Sequence, residues 1–471
     1  DFNENILMQI YAIIAENNII LSNEVIQYIK KSLPYINSNF RMNKYVFSSF
    51  REILKRQKNL YYTLSIMHAT GFLSAYIPYF DKMDCLVQHD YYHKFTVDEH
   101  SLQCVKAIED LYSNNSPQLV NQRNLLFTIS KRDILIFSIL MHDYGKIWPG
   151  NHIDNSIKTI DGLVEAFPFN EEEKLLISFL IINHLEFSKT SQRRDFNELK
   201  TLASFSEKIS SVEKLELLFL LTYADLSAVG DGIFTQWKNS LLNELYFKCH
   251  ILLEEINGSK YVTLQEKEIE DIKSKLISHQ ENKGRFNEFV SLLPDKYFVE
   301  VEQYDILNHF EIFNKLKDNS RNIQIYWTLQ HDYYNLFTVS YDSIGLFSKI
   351  TGILCANGIN VLDANLYTGS LAIDFFRVSH FFSGQIEEAK WKRIENELNQ
   401  VLNGEISNIE SHINKRMKNV FKYEKSKIEI KPNISFDESS KGYTLIDIEC
   451  KDKIGLLYQI SSIIAKMGFS I

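Results

Sequence analysis

The chain reads as multidomain, with an all-α first half followed by an α+β second half. Three observations predict this. Apolar residues recur at helical spacing through the first 255 residues or so, as in Ile6, Leu7, Ile10, Ile13 and Ile14, or Val46, Phe50, Ile53 and Leu54. From about Asn322 short β-rich runs alternate with single helices, as in Ile323–Leu329 and Asn335–Ser340. The segment Tyr341–Ile350 also recurs 110 residues later as Lys451–Ile460.

A chain of 471 residues exceeds what one core usually supports and predicts three or four domains. Residues 1–85 read as a helical lead-in. Residues 86–255 continue as helices and hold most of the histidines singled out below. Residues 256–325 are a connecting region, whose charged stretch Gln265–Lys273 reads as a solvated helix. Residues 326–418 and 440–471 each carry one copy of the repeat. The chain begins at Asp1 without Met and stops at Ile471 within a strand-like pattern, which reads as a piece of something longer.

Composition narrows the function classes. Apolar content of 45% with 24% charged residues is ordinary for a soluble globular protein. A formal charge of −9 argues against a broad nucleic-acid-binding face. Five scattered cysteines with no Cys-x-x-Cys pair fit reduced thiols in a cytoplasmic protein, not a disulfide framework or a zinc knuckle. Apolar runs such as Leu175–Ile182 are too short to span a membrane, and no signal peptide is evident.

Chemistry is concentrated around His142–Asp143, which closes the apolar run Ile134–Met141. Adjacent His and Asp offer a nitrogen and a carboxylate to one metal ion. The pair alone is a weak signal, but His100 precedes it, and His152, His184 and Asp225 follow. A lone histidine on an apolar helix is more often a core residue than a ligand, and His152, in Pro149–Asp154, reads as a loop residue. Imidazole and carboxylate donors suit Mn²⁺ or Mg²⁺, with Fe²⁺ or Zn²⁺ as alternatives. Lys146, and the pair Arg193 and Arg194, supply cations for a phosphate, although surface placement would explain them equally well. His93 reads as an outer or surface residue.

The order His100, His142–Asp143, His152, His184, Asp225 resembles the ligand order of the HD superfamily of metal-dependent phosphohydrolases. The repeat, with Asp342 and Gly345 then Asp452 and Gly455 at strand-to-helix turns, resembles the ACT domain, a βαββαβ ferredoxin-like module that senses amino acids. Its helices end near Gly358 and Gly468, as left-handed caps would require. On this resemblance the ligand-contacting positions are Asp342, Gly345, Leu346 and Asn360 in the first copy, and Asp452, Gly455 and Leu456 in the second, which is truncated. Many such modules only pair with others and bind nothing.

Further motifs narrow the resemblance: His93–His100 with Thr96-Val97-Asp98-Glu99-His100, Gln192-Arg193-Arg194-Asp195, Thr222–Leu226, Trp237–Tyr246 and Met67–Pro78. Together with the HD-then-ACT order they are similar to the bifunctional uridylyltransferase/uridylyl-removing enzymes of the PII nitrogen-signalling system. The resemblance implies a hydrolase that removes UMP from uridylylated PII, with metal at His100, His142, Asp143, His152, His184 and Asp225, promoted by glutamine at the ACT copies, in the cytoplasm and without nucleic acid or membrane. Asn151, Ile153, Ser343–Ile344 and Lys453–Ile454 depart from the family's usual residues. Family members begin with a nucleotidyltransferase domain bearing a Gly-Ser motif and paired Asp residues. No such motif precedes His93, so uridylyl transfer is expected to lie outside this chain.

Two other readings stay open. Alarmone (ppGpp) hydrolases also couple HD and ACT domains, but their motif continues with paired acids where Tyr144-Gly145-Lys146 stands here. A non-enzymatic amino-acid sensor with a relay HD domain would be expected to have lost ligands, whereas all six stand here.

Overall fold

The computed structural model describes residues 4–87, 94–196, 198–230, 233–256, 270, 273–277, 283–301, 303–318, 322–330, 332–381, 384–417, 431–437 and 444–469. His93 lies outside them. The chain forms two compact units, Asp1–Tyr261 and Val262–Ile471.

The described part of the first unit is helical. Its lead-in helices include Glu4–Asn17, Lys44–Leu54 and Leu60–Ala69. Six later helices frame the site: α1 (Val97–Asp110), α2 (Arg132–Met141), α3 (His152–Val164), α4 (Glu171–Asn183), α5 (Glu186–Arg193) and α6 (Val212–Ala228). Side-chain oxygens cap several starts. Asn151 accepts from Ile153 and Asp154 at α3, Asn170 and Glu173 form a capping box at α4, and Ser211 caps α6. Every residue of α2 is buried, as is most of α6, so these two are central and the others surround them. α1, α4 and α6 all pack on α2. One hydrophobic core runs from Leu7 in the lead-in to Leu253.

Arg51 in the lead-in connects two of these helices at their starts. Its guanidinium pairs with Asp133 in the first turn of α2 and, at 2.6 Å, with Glu173 in the first turn of α4. The opposite ends of α2 and α4 carry His142 and His184.

The second unit is α+β. Strands β1 (Ile323–Leu329), β2 (Tyr334–Tyr341), β3 (Ile359–Thr368) and β4 (Leu371–His380) form an antiparallel sheet in the order β1-β2-β4-β3. Helices α8 (Leu346–Ala356) and α9 (Glu388–Leu402) cover one face, packing on Leu336, Ala372, Phe376 and Val378. The other face presents Val339, Leu371 and Ile373 to helices that include α7 (Gln303–Asp318). The alternation along β4 is what a sheet covered on both faces requires. The expected order βαββαβ is followed from β2 through α9, but the edge strand beside β2 is β1, which precedes that run instead of following it. The turn at Gln330–Tyr333 makes β1 and β2 a hairpin.

After α10 (Ile409–Met417), strands β5 (Asn433–Asp437) and β6 (Leu445–Glu449) form a two-stranded antiparallel sheet, and α11 (Leu456–Lys466) follows. α11 packs against α8. A Cβ built on Gly345 would lie 3.5 Å from Ala465, and one built on Gly455 would lie 3.3 Å from the Cys355 sulfur. Each turn glycine therefore faces the far end of the other copy's helix. Both glycines have left-handed backbone, φ +72° and +78°, and so do Gly358 and Gly468 at the helix ends.

Among the described residues no helix is long and apolar enough to cross a membrane.

Candidate metal centre

The structure brings all six predicted ligands together. His142 stands at the C-terminal end of α2 and His184 at that of α4. Their rings are anchored alike: Nδ1 of His142 is 2.8 Å from the Ile139 carbonyl, and Nδ1 of His184 is 2.7 Å from that of Ile181. A carbonyl can only accept, so each Nδ1 carries a proton, and in the neutral ring it is Nε2 that offers its lone pair to the interior. His100 comes from α1 and Asp225 from α6. His152 is the first residue of α3, not a loop residue, because the Asn151 cap starts the helix there.

The donor atoms fall into two adjoining groups, His100, Cys104, His142 and Asp225, then Asp143, His152 and His184, with all atoms of a group within 4.8 Å of one another. His100 Nε2 is 3.0 Å and His142 Nε2 3.7 Å from Asp225 Oδ1. Asp143 links the groups. Its Oδ2 is 3.4 Å from His142 Nε2, and its Oδ1 is 3.6 Å from His184 Nε2 and 4.0 Å from His152 Nε2. Two donors on one ion, each at ~2.1 Å, stand ~3–3.5 Å apart, so these spacings suit a shared cation.

The donor set passes a further test. Nε2 of His142, His152 and His184 is buried, and none of the three has a hydrogen-bond partner. Buried polar atoms are ordinarily satisfied, so three partnerless imidazole nitrogens facing two carboxylates fit a divalent cation. His142 and Asp143 are 1% and 3% exposed, too dry for solvent to take that part.

The electrostatics agree. Burial disfavours charge on His142, but Asp143 and Asp225 outweigh it and raise the imidazole to about 10. Burial and the neighbouring His142 charge lower His184 to about 4. Burial opposes ionisation of Asp143, yet the His142 and Lys146 charges hold it well below the usual carboxylate range.

Lys146, in the tight turn Tyr144–Ile147, pairs with Asp143 Oδ2 at 2.6 Å. Gly145 in that turn permits close packing on α3, since a Cβ there would lie 2.1 Å from the His152 carbonyl oxygen. Arg193 ends α5 on the surface, and Arg194 follows it half-buried.

Two features were missed in the sequence. Cys104 sits one turn after His100, its sulfur 3.6 Å from His100 Nε2. The four-residue spacing on one helix was the available signal. His68, Asp84 and Asp98 form a third group, with His68 Nε2 2.9 Å from Asp98.

In the second unit, Asp342, Gly345 and Leu346 line a cavity of about 180 Å³. Asn360, at the start of β3, does not line it. Asp452 lies in the turn before α11, and Gly455 and Leu456 at its start, with Gly455 facing Cys355 of α8.

Residues 2–76 match the family described as the uridylyltransferase GlnD third domain. Over 477 residues the chain is 26% identical to the bifunctional uridylyltransferase/uridylyl-removing enzyme of Bradyrhizobium sp. (strain ORS 278), covering 99% of this chain and 50% of the relative. Over 482 residues it is 25% identical to the enzyme of the same name from Nitrobacter winogradskyi, again 99% and 50%. The chain spans about half the length of the curated relatives it matches. Along nearly all of its length the chain is thus similar to bifunctional uridylyltransferase/uridylyl-removing enzymes, over about half the length of each.

Proposed function

We propose that the first unit is an HD-type phosphodiesterase that removes UMP from the uridylylated PII signalling protein, and that the second unit carries ACT-type modules through which glutamine promotes the reaction. The observation that carries this reading is the set of three buried, partnerless imidazole nitrogens turned toward Asp143 and Asp225. Homology to enzymes named for uridylyl removal supplies the substrate class.

His100, His142, Asp143, His152, His184 and Asp225 would hold one or two divalent cations, Mn²⁺ or Mg²⁺ first, with Fe²⁺ or Zn²⁺ as alternatives. Bound there, such an ion supplies positive charge for phosphate oxygens and lowers the pKa of water toward neutrality. The chain's own residues do the rest. The Ile139 and Ile181 carbonyls fix the His142 and His184 rings, so no reorientation accompanies binding. Lys146, Arg193 and Arg194 are assigned to the phosphate. The burial of His142 and Asp143 limits solvent screening of the charges at the centre itself. The resemblance to the uridylyl-removing enzymes implies a tyrosyl oxygen as leaving group, whose pKa of about 10 would let it depart with little assistance. A cytoplasmic location follows from the substrate.

Substrate choice tests the reading. Purified chain given uridylylated PII or ppGpp, each with Mn²⁺, is expected to release UMP and leave ppGpp intact. The reverse would assign the chain to alarmone hydrolysis.

A further inference from the structure

The cavity at the first repeat turn is built by both copies. The turn Asp342–Ser348 forms one side, Leu366, Thr368 and Asp374 form the floor, and Ser461, Ala465 and Phe469 close it from the second copy. Its volume, about 180 Å³, far exceeds the ~10–15 Å³ that admits one water. It falls short of the ~300 Å³ typical of drug-sized ligands. A small molecule fits, and a nucleotide does not.

Two polar groups in its wall lack partners. Asp374, in the central strand β4, is 2% exposed, and no described residue donates a hydrogen bond to its carboxylate. The Ser343 hydroxyl is buried and also without a partner. Alternation along β4 places Asp374 with Ala372, Phe376 and Val378 on the face covered by α8 and α9, and these three neighbours are apolar. A carboxylate there is costly unless something cationic meets it. Asp342 is the other ionisable group lining the cavity, and it is acidic too.

We propose that Asp374, with Asp342, receives the ammonium group of a free amino acid in this cavity, while Ser343 and the first turn of α8 receive its carboxylate. This assignment rests on the proposed amino-acid-sensing role of the second unit and adds to it the residue that reads the ligand's charge. A buried acid in the floor and a helix N-terminus at the side fit a zwitterion better than an anion or a neutral amide. Burial, and then the Asp342 charge, push the Asp374 carboxyl up to about 7, and an ammonium group at the same place would reverse that shift.

Calorimetric titration of the full chain with L-glutamine, and with glutaric acid monoamide, which is glutamine lacking its α-ammonium group, tests the proposal. The chain should bind glutamine and not the monoamide. Asp374→Asn should bind glutamine about 10- to 100-fold more weakly, the usual size of one hydrogen bond to a charged group. Asp342→Asn, at an exposed turn position where folding is not at risk, should weaken binding to a lesser degree. Equal binding of glutamine by the chain and Asp374→Asn, with the variant's circular dichroism unchanged, or equal binding of the two ligands, would overturn the assignment and leave amino-acid sensing standing. Binding of none of the twenty amino acids by the unaltered chain would overturn both.

Discussion

The Thr351 hydroxyl lies 3.4 Å from that of Ser461, exactly one repeat length of 110 residues away. Gly345 approaches Ala465 while Gly455 approaches Cys355, so the two copies are related by a local twofold and α8 and α11 pack antiparallel about this pair.

Gly352, beside Thr351, tests this packing. A Cβ there would lie 2.5 Å from Ile409 and 2.9 Å from the Tyr458 ring. Gly352→Val is expected to destabilise the second unit by about 1–3 kcal/mol, as overpacking does. Glutamine binding should weaken with it. Urea denaturation and calorimetric titration of the variant read the two effects.

Arg51 predicts a link between the lead-in helices and the centre. Arg51→Ala leaves Asp133 and Glu173 without their shared cation at the starts of α2 and α4. The guanidinium is 25% exposed, so the expected loss is about 2–3 kcal/mol, below the full cost of breaking a buried pair. Thermal unfolding should show it, and Mn²⁺ affinity should fall because His142 and His184 ride on the same two helices. A variant of unchanged stability and affinity would show that the ion pairs contribute nothing to the placement of these helices.

Gly145 predicts a positional effect on His152. Gly145→Ala brings a methyl against the His152 carbonyl oxygen, which is backbone and cannot swing away. Mn²⁺ affinity should drop about 10- to 100-fold, as when groups supporting a ligand are lost. Equilibrium dialysis against Mn²⁺ measures this without any substrate.

Asp374 gives a pH signature. Its folded-state pKa, about 7, lies above that of an unfolded aspartate, about 3.9, so the folded chain binds more protons between these values. Stability contributed at this residue is present below the lower value and is lost as pH rises toward 7. Asp374→Asn removes the dependence. Relative to the unaltered chain the variant should gain stability from pH 4 to 7, by up to about 4 kcal/mol. Parallel denaturation curves across that range would contradict the shift.

The residues of the candidate centre could be singled out in the sequence because they sit in strong local patterns. His142–Asp143 and His184 end apolar helical runs, and Asp225 interrupts another. The repeat was legible from Asp342 and Gly345 recurring at Asp452 and Gly455. What escaped depends on tertiary pairing. Arg51 meets acids 82 and 122 residues away, and nothing local marks such a partner. Asp374 lies in a strand whose apolar neighbours hide one acid until the cavity above it is visible. The Asn151 cap could have been read from sequence, since Asn two residues past Pro149 is a good helix start, but Pro149–Gly150 drew the reading toward a loop. The edge position of β1 was not readable, because a hairpin strand looks the same whether it precedes or follows its module.

The most direct test of the account is UMP release from uridylylated PII by the purified chain, in Mn²⁺, in Mg²⁺ and in EDTA, beside His142→Ala and Asp143→Ala. The account predicts metal-dependent release, abolished by EDTA and by either substitution, with helical circular dichroism retained. Release that persists in EDTA or in both variants would contradict it.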